Sequence, residues 1–132
     1  MAEKSPHILV VDDEPEIFDI IRNIMKEEKY KITFTDNGKD ALKAIEKHRF
    51  DLVIADVFLP KMSGDEILLN IKKKAPQIPV LMITGLGDNE LWIDLINKGA
   101  LDLIPKPIIK RSFLTKVSAA LDDTYPKPHF RA

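Results

Sequence analysis

Five polar side chains, scattered over most of the chain, each stand at the end of a short apolar run. Asp12 and Asp13 follow Ile8-Leu9-Val10-Val11, Asp56 follows Leu52-Val53-Ile54-Ala55, Thr84 follows Val80-Leu81-Met82-Ile83, and Lys106 follows Leu101-Asp102-Leu103-Ile104-Pro105. Gathered in one place they would form a site of three carboxylates, a hydroxyl and an ammonium. Three ionised carboxylates a few ångströms apart repel by several kcal/mol at an effective dielectric of about 20, so the cluster needs a cation or raised pKa values. Mg²⁺ supplies the missing charge with all-oxygen ligands, keeps several waters and accepts phosphate oxygen. It suits an open crevice better than Ca²⁺ does, and Mn²⁺ is the natural substitute. With one divalent ion and Lys106 the formal charges cancel, leaving a site able to stabilise a phosphoryl group in transit.

The elements that must position these residues alternate along the chain. Five apolar segments, Ile8 to Val11, Ile32 to Thr35, Leu52 to Ala55, Val80 to Ile83 and Leu101 to Ile104, read as strands. Between and after them run five stretches of helical spacing. The first starts after Pro15 and repeats Ile17, Ile20, Ile21, Ile24 and Met25 at i, i+3, i+4, i+7 and i+8. The others cover Lys39 to Lys47, Asp65 to Lys74, Asp88 to Lys98 and Lys110 to Asp122, the fourth stopping at Gly99. On the fourth, Leu91, Trp92, Leu95 and Ile96 read as one inward face with Trp92 in or beside the core, and Lys72-Lys73-Lys74 reads as a solvated last turn of the third. None of the 9 prolines falls inside a proposed helix.

Three of the strands are unbroken apolar runs, as strands covered on both faces require. The second and fifth alternate, as edges do. The expectation is an α/β fold, a three-layer doubly wound (βα)5 flavodoxin-like arrangement with a parallel five-stranded sheet in order 2-1-3-4-5. In that order the first, third and fourth strands are neighbours, and their polar carboxyl ends converge on one crevice, where open parallel sheets bind ligands.

Composition limits the alternatives. At 132 residues with 45% hydrophobic side chains the chain is one domain's length, able to bury roughly two-thirds of its unfolded surface. Its 20 Lys+Arg against 21 Asp+Glu leave no global field to hold nucleic acid or an anionic membrane. With no cysteine there is no thiol catalysis or thiolate metal site, and His7, His48 and His129 are too dispersed for a ligand motif. No segment approaches the roughly 20 apolar residues of a membrane span, and the start has no signal-peptide core, so a cytoplasmic location is expected.

Four motifs in order now carry a resemblance: Val10-Val11-Asp12-Asp13-Glu14-Pro15; Asp51-Leu52-Val53-Ile54-Ala55-Asp56 with Leu59-Pro60-Lys61-Met62-Ser63-Gly64; Val80-Leu81-Met82-Ile83-Thr84-Gly85; and Gly99-Ala100 to Lys106-Pro107. Over Ile8 to about Leu121 the chain resembles the receiver domains of two-component response regulators. The resemblance implies that Asp56 is the phosphoacceptor, taking a phosphoryl group from a sensor histidine kinase or a histidine phosphotransfer protein. It implies that Asp12, Asp13, Asp56 and the Phe58 backbone carbonyl hold Mg²⁺, that Lys106 pairs with phosphoryl oxygens ahead of a cis bond to Pro107, and that Thr84 is the switch hydroxyl. A downstream protein partner, or an output domain outside this chain, would be met through the fourth helix, fifth strand and fifth helix, a face that also offers a phosphorylation-dependent homodimer. The receiver is expected over residues 5–123, with 124–132 a C-terminal tail or linker, and it would catalyse only its own phosphorylation and dephosphorylation.

The chain departs from that pattern in three places. Most receivers carry Tyr or Phe three residues before the lysine; Leu103 stands here and can still change rotamer to fill space that Thr84 vacates. The two positions that tune phosphoryl loss hold Phe58 and Leu86, both apolar, which predicts slow self-dephosphorylation. Two other readings compete. An aspartate-nucleophile phosphatase would place a second acid where Phe58 stands, and a phosphorylation-independent scaffold is favoured mildly by Leu103 and opposed by the intact Asp12, Asp13, Asp56, Thr84 and Lys106.

Overall fold

The computed structural model describes residues 5–85 and 88–122. Five strands, β1 (His7–Val11), β2 (Lys31–Thr35), β3 (Leu52–Asp56), β4 (Val80–Thr84) and β5 (Asp102–Pro105), alternate with five helices, α1 (Pro15–Met25), α2 (Gly38–Lys47), α3 (Gly64–Lys74), α4 (Asn89–Asn97) and α5 (Lys110–Leu121). All strands are parallel, in the order β2-β1-β3-β4-β5. The doubly wound arrangement is therefore the one read from the sequence.

Each sheet face carries its own apolar layer. Leu9, Val11, Val53, Ala55, Val80, Met82 and Leu103 meet Ala41, Ile67, Leu68, Ile71 and Leu95 of α2, α3 and α4. Ile8, Val10, Leu52, Ile54, Leu81, Ile83 and Ile104 meet Ile17, Ile21, Ile24 and Met25 of α1 and Phe113 and Val117 of α5. Alternate residues of one strand thus feed opposite layers, and both layers need apolar side chains, which is why β1, β3 and β4 lack the polar alternation of a half-solvated strand. At about 1.5–3 kcal/mol for each fully buried aliphatic side chain, these layers dominate the stability of the fold.

Three strands run one residue further at their carboxyl ends than the apolar runs alone indicate, to Asp56, Thr84 and Pro105. The ladder that fixes the strands therefore also fixes the site. Asp56 pairs with Ile83, and Thr84 pairs with Pro105. The following turn is equally constrained. The Gly64 N–H donates to the Val57 carbonyl at 2.8 Å, and a Cβ at Gly64 would lie 2.5 Å from Val57 Cα. Only glycine lets α3 start this close to the loop that carries Asp56.

Two inward assignments and one outward one need correction. Ile20 sits within the apolar spacing of α1 but is 40% exposed, because the buried stripe narrows to Ile17, Ile21, Ile24 and Met25. Trp92 is 43% exposed, not seated in or beside the core, and its neighbour Ile93 is also exposed. Leu95 alone is fully buried on α4, with Leu91 and Ile96 partly covered. Lys72 is not a freely solvated residue. Its ammonium donates to the Ile78 and Pro76 carbonyls at 2.6 and 3.3 Å, and burial lowers its pKa. Residues 123–132, including the expected tail, lie outside the described residues, as does Leu86. Among the described residues no helix is long and apolar enough to cross a membrane.

Candidate functional site

The carboxyl ends of β1, β3, β4 and β5 bring the sequence-identified side chains into one crevice. Asp12 is fully buried, and Asp56 and Thr84 are nearly so. Ligand oxygens of Asp12, Asp13, Glu14 and Asp56 lie within 4.8 Å of one another. Lys106 Nζ donates to Asp56 Oδ2 at 2.8 Å and to Glu14 Oε1 at 2.7 Å, and stands 3.9 Å from Asp12 Oδ2. Asp56 Oδ1 accepts the Phe58 N–H at 2.9 Å. The Asp56 carboxylate is therefore held between an ammonium and a backbone amide.

Its neighbour is less comfortable. Asp12 Oδ1 accepts the Glu14 N–H at 2.8 Å, while Oδ2 has no hydrogen-bond partner despite its burial. Burial, reinforced by the charge of Asp56 and opposed by the Glu14 amide and Lys106, pushes the Asp12 carboxyl from 3.8 up to about 7. An orphaned buried oxygen in a group of four acids is what a hard cation would satisfy. The donor set therefore fits Mg²⁺, with Asp12 and Asp13 on β1 and its following turn and Asp56 on β3.

Lys106 meets the opposite balance. Burial works against its charge, but the hydrogen bonds to Asp56 and Glu14 outweigh that cost and hold its pKa above the ordinary lysine range. Its own backbone N–H donates to the Thr84 carbonyl at 2.8 Å, fastening the β5 exit to the end of β4. The bond from Lys106 to Pro107 is cis.

Two expected participants sit differently from one another. Leu103 is buried in the layer shared by Met82, Leu95 and Ala100, in contact with the α4 side of the sheet. The Phe58 side chain is 59% exposed, and its contribution to the site is its amide. Glu14 is the residue that motif reading passed over. Lying directly after Asp12-Asp13 at the N-cap of α1, it shares Lys106 with Asp56, a role whose only sequence signal is that adjacency.

Comparison with known proteins gives a consistent result. The family model described as "Response regulator receiver domain" matches residues 8–118. Among curated relatives, the transcriptional regulatory protein ZraR of Klebsiella oxytoca is 32% identical over 124 residues, covering 94% of this chain and 28% of that regulator. The receiver domain of NtrX from Brucella abortus, a solved structure, is 35% identical with a TM-score of 0.82, covering 87% of this chain and 98% of that one. The signal receiver domain of a putative Luxo repressor protein from Vibrio parahaemolyticus is 32% identical with a TM-score of 0.87, covering 92% and 93%. The chain spans 28% of the length of ZraR and of the transcriptional regulatory proteins GlrR and QseF, which it also matches.

Proposed function

Because the chain belongs to the response regulator receiver domain family, we propose that it accepts a phosphoryl group on Asp56 and changes conformation to control a partner or output domain. The donor is the phosphohistidine of a sensor histidine kinase or a histidine phosphotransfer protein. The observation that carries this reading is the environment of Asp56: a nearly buried carboxylate pinned by Lys106 and the Phe58 amide, beside an acidic cluster in which Asp12 has an oxygen left over.

In the reaction an Asp56 oxygen attacks phosphorus, an O–P bond forms, the P–N bond breaks, and the electron pair leaves with the imidazole, which retains or regains its proton. Lys106 is placed to neutralise phosphoryl oxygens as they swing over Asp56, and the Phe58 N–H holds the carboxylate in register. Asp12, Asp13, Asp56 and the Phe58 carbonyl would hold Mg²⁺ or Mn²⁺, which when bound offsets the charge of the carboxylates and phosphoryl group. Product is an acyl phosphate carrying about two negative charges, which Thr84 at the end of β4 and Lys106 at the exit of β5 are positioned to read.

The receiver unit covers residues 5–123, with 124–132 as tail or linker, and it acts in the cytoplasm. Its output runs through the face of α4, β5 and α5, towards a protein partner, a second copy or a further domain, with no nucleic acid or membrane bound directly. Intact-mass measurement with acetyl phosphate and Mg²⁺ tests the reading. One phosphoryl adduct is expected on the wild type and none on Asp56→Asn; an unmodified wild type would leave a phosphorylation-independent scaffold. Continued turnover of a phosphate ester beyond one equivalent would instead indicate a phosphatase.

A further inference from the structure

α4 is lightly anchored in the fold. It buries one residue, Leu95, where α1 buries four and α5 three. Its exposed side carries Trp92 and Ile93, two large apolar groups in water. The position of that apolar pair therefore depends on whatever else holds the helix.

Polar contacts supply the hold, and they lead back to the acceptor loop. Lys98, the C-cap of α4, donates to Asp94 Oδ2 at 2.8 Å and to Asp65 Oδ2 at 3.2 Å. Asp94 lies one turn earlier on α4 itself, so this contact only fixes the lysine's direction. Asp65 lies in the first turn of α3, directly after Gly64. Gly64 is fastened to the Val57 carbonyl and packs against the Asp56–Val57 backbone with no room for a Cβ. The carboxyl of Asp65 sits below the usual range because Ser63 and Lys98 hydrogen-bond its ionised form, with burial opposing them, so it presents a settled negative charge to the lysine. An unbroken line of short contacts thus runs from Asp56 through Val57, Gly64, Asp65 and Lys98 to α4.

We propose that Lys98 is a positioning residue that transmits the state of Asp56 from the start of α3 to α4, and so sets where the exposed Trp92–Ile93 pair stands. This rests on Asp56 being the phosphoacceptor. A displacement of the Asp56–Val57 backbone carries Gly64 with it, because that contact is backbone to backbone. Asp65 moves as part of the same helical turn. Lys98 then either follows Asp65 or gives up that partly exposed ion pair, and either outcome changes what holds the end of α4.

Trp92 is the only tryptophan in the chain and lies on α4, so its emission reports the helix directly. The test adds beryllofluoride and Mg²⁺, a phosphoryl mimic, to wild type, Lys98→Met, Lys98→Arg and Asp65→Asn, following adduct occupancy by fluorine NMR and Trp92 emission in the same samples. Wild type is expected to form the adduct and shift its emission. Lys98→Met and Asp65→Asn should form the adduct as readily and lose most of the shift, and Lys98→Arg should restore it, which a merely structural role would not do. A full emission shift in Lys98→Met or, should that variant not fold, in Asp65→Asn overturns the proposal. An adduct on wild type with no emission shift overturns it too and leaves the phosphoacceptor reading standing, whereas a wild type that forms no adduct overturns both.

Discussion

Asp12→Asn should make the metal-free protein more stable while abolishing its use of Mg²⁺. Asp12 is fully buried with one oxygen unpartnered, and its carboxyl is raised from 3.8 to about 7. In the unfolded chain it ionises near 3.8. Below that pH both states carry the proton and nothing is lost. Between 3.8 and about 7 folding takes up a proton, so stability falls steadily as pH rises, and above about 7 the full cost of an ionised, buried group is carried. At about 1.4 kcal/mol per pH unit the ceiling is roughly 4 kcal/mol. The amide of asparagine keeps the acceptor for the Glu14 N–H and removes the charge, so a gain of about 2–4 kcal/mol at pH 8 is expected. At roughly 4 °C per kcal/mol for a domain of this size, that is a Tm higher by about 8–16 °C. Thermal melts followed by circular dichroism in EDTA at pH 8 and pH 4.5 read it directly: a large gap at the first, a small one at the second. Adding Mg²⁺ at pH 8 should raise the wild-type Tm well above its EDTA value and move the variant little. A variant that melts at or below wild type at pH 8, or a gap unchanged at pH 4.5, would refute the reasoning.

Other substitutions probe the same geometry. Gly64→Ala puts a Cβ 2.5 Å from Val57 Cα and should cost about 1–3 kcal/mol, lowering the denaturant midpoint and slowing phosphorylation from acetyl phosphate. At Gly38 the atoms nearest an added Cβ are side-chain atoms of Met62 and Ile67 at 2.7–3.0 Å, which can shift where backbone cannot, so Gly38→Ala should cost measurably less in the same titration. Lys106→Met leaves the nearly buried Asp56 without its ammonium, and should destabilise the metal-free protein by about 1–3 kcal/mol in urea melts and sharply slow phosphotransfer. Phe58→Asn places a polar group able to orient water beside the acyl phosphate, and its phosphoryl lifetime should be severalfold shorter than that of wild type in an autodephosphorylation assay.

The strands and their order were legible because sheet burial on both faces leaves a simple trace. Ile8-Leu9-Val10-Val11 and Val80-Leu81-Met82-Ile83 alternate between the two layers, so each position must be apolar, while Ile32-Thr33-Phe34-Thr35 on the edge need not be. The polar ends of those runs meet at one edge of the sheet; each alone reads as an ordinary cap or turn residue, and only their joint placement points to a site. What sequence did not disclose is set by tertiary approach. Trp92 and Ile20 fit a helical stripe whose true width depends on how far the helix stands off the sheet. Glu14 joins Lys106 across 92 residues of chain, and Lys98 joins Asp65 across 33. Such pairings of long side chains leave no periodicity for a sequence to show.

The sharing of Lys106 explains how a small chemical change can be felt. One ammonium serves two carboxylates, Glu14, nearly half exposed, and Asp56, almost wholly buried. An exposed ion pair is worth about 0–1 kcal/mol, whereas a desolvated carboxylate left unpaired costs several. The lysine therefore follows whatever charge sits at Asp56 and gives up Glu14 with little resistance. The proposed phosphorylation of Asp56 would replace a single carboxylate charge there with about two, further from the Asp56 backbone and in need of the same cation. Because the N–H of Lys106 is bonded to the Thr84 carbonyl at 2.8 Å, a lysine that reached outward would pull on the end of β4, the strand that also carries the Thr84 hydroxyl. On that proposal Glu14 would be the expendable partner, and its release the low-cost step that lets the stronger pairing re-form around a larger charge.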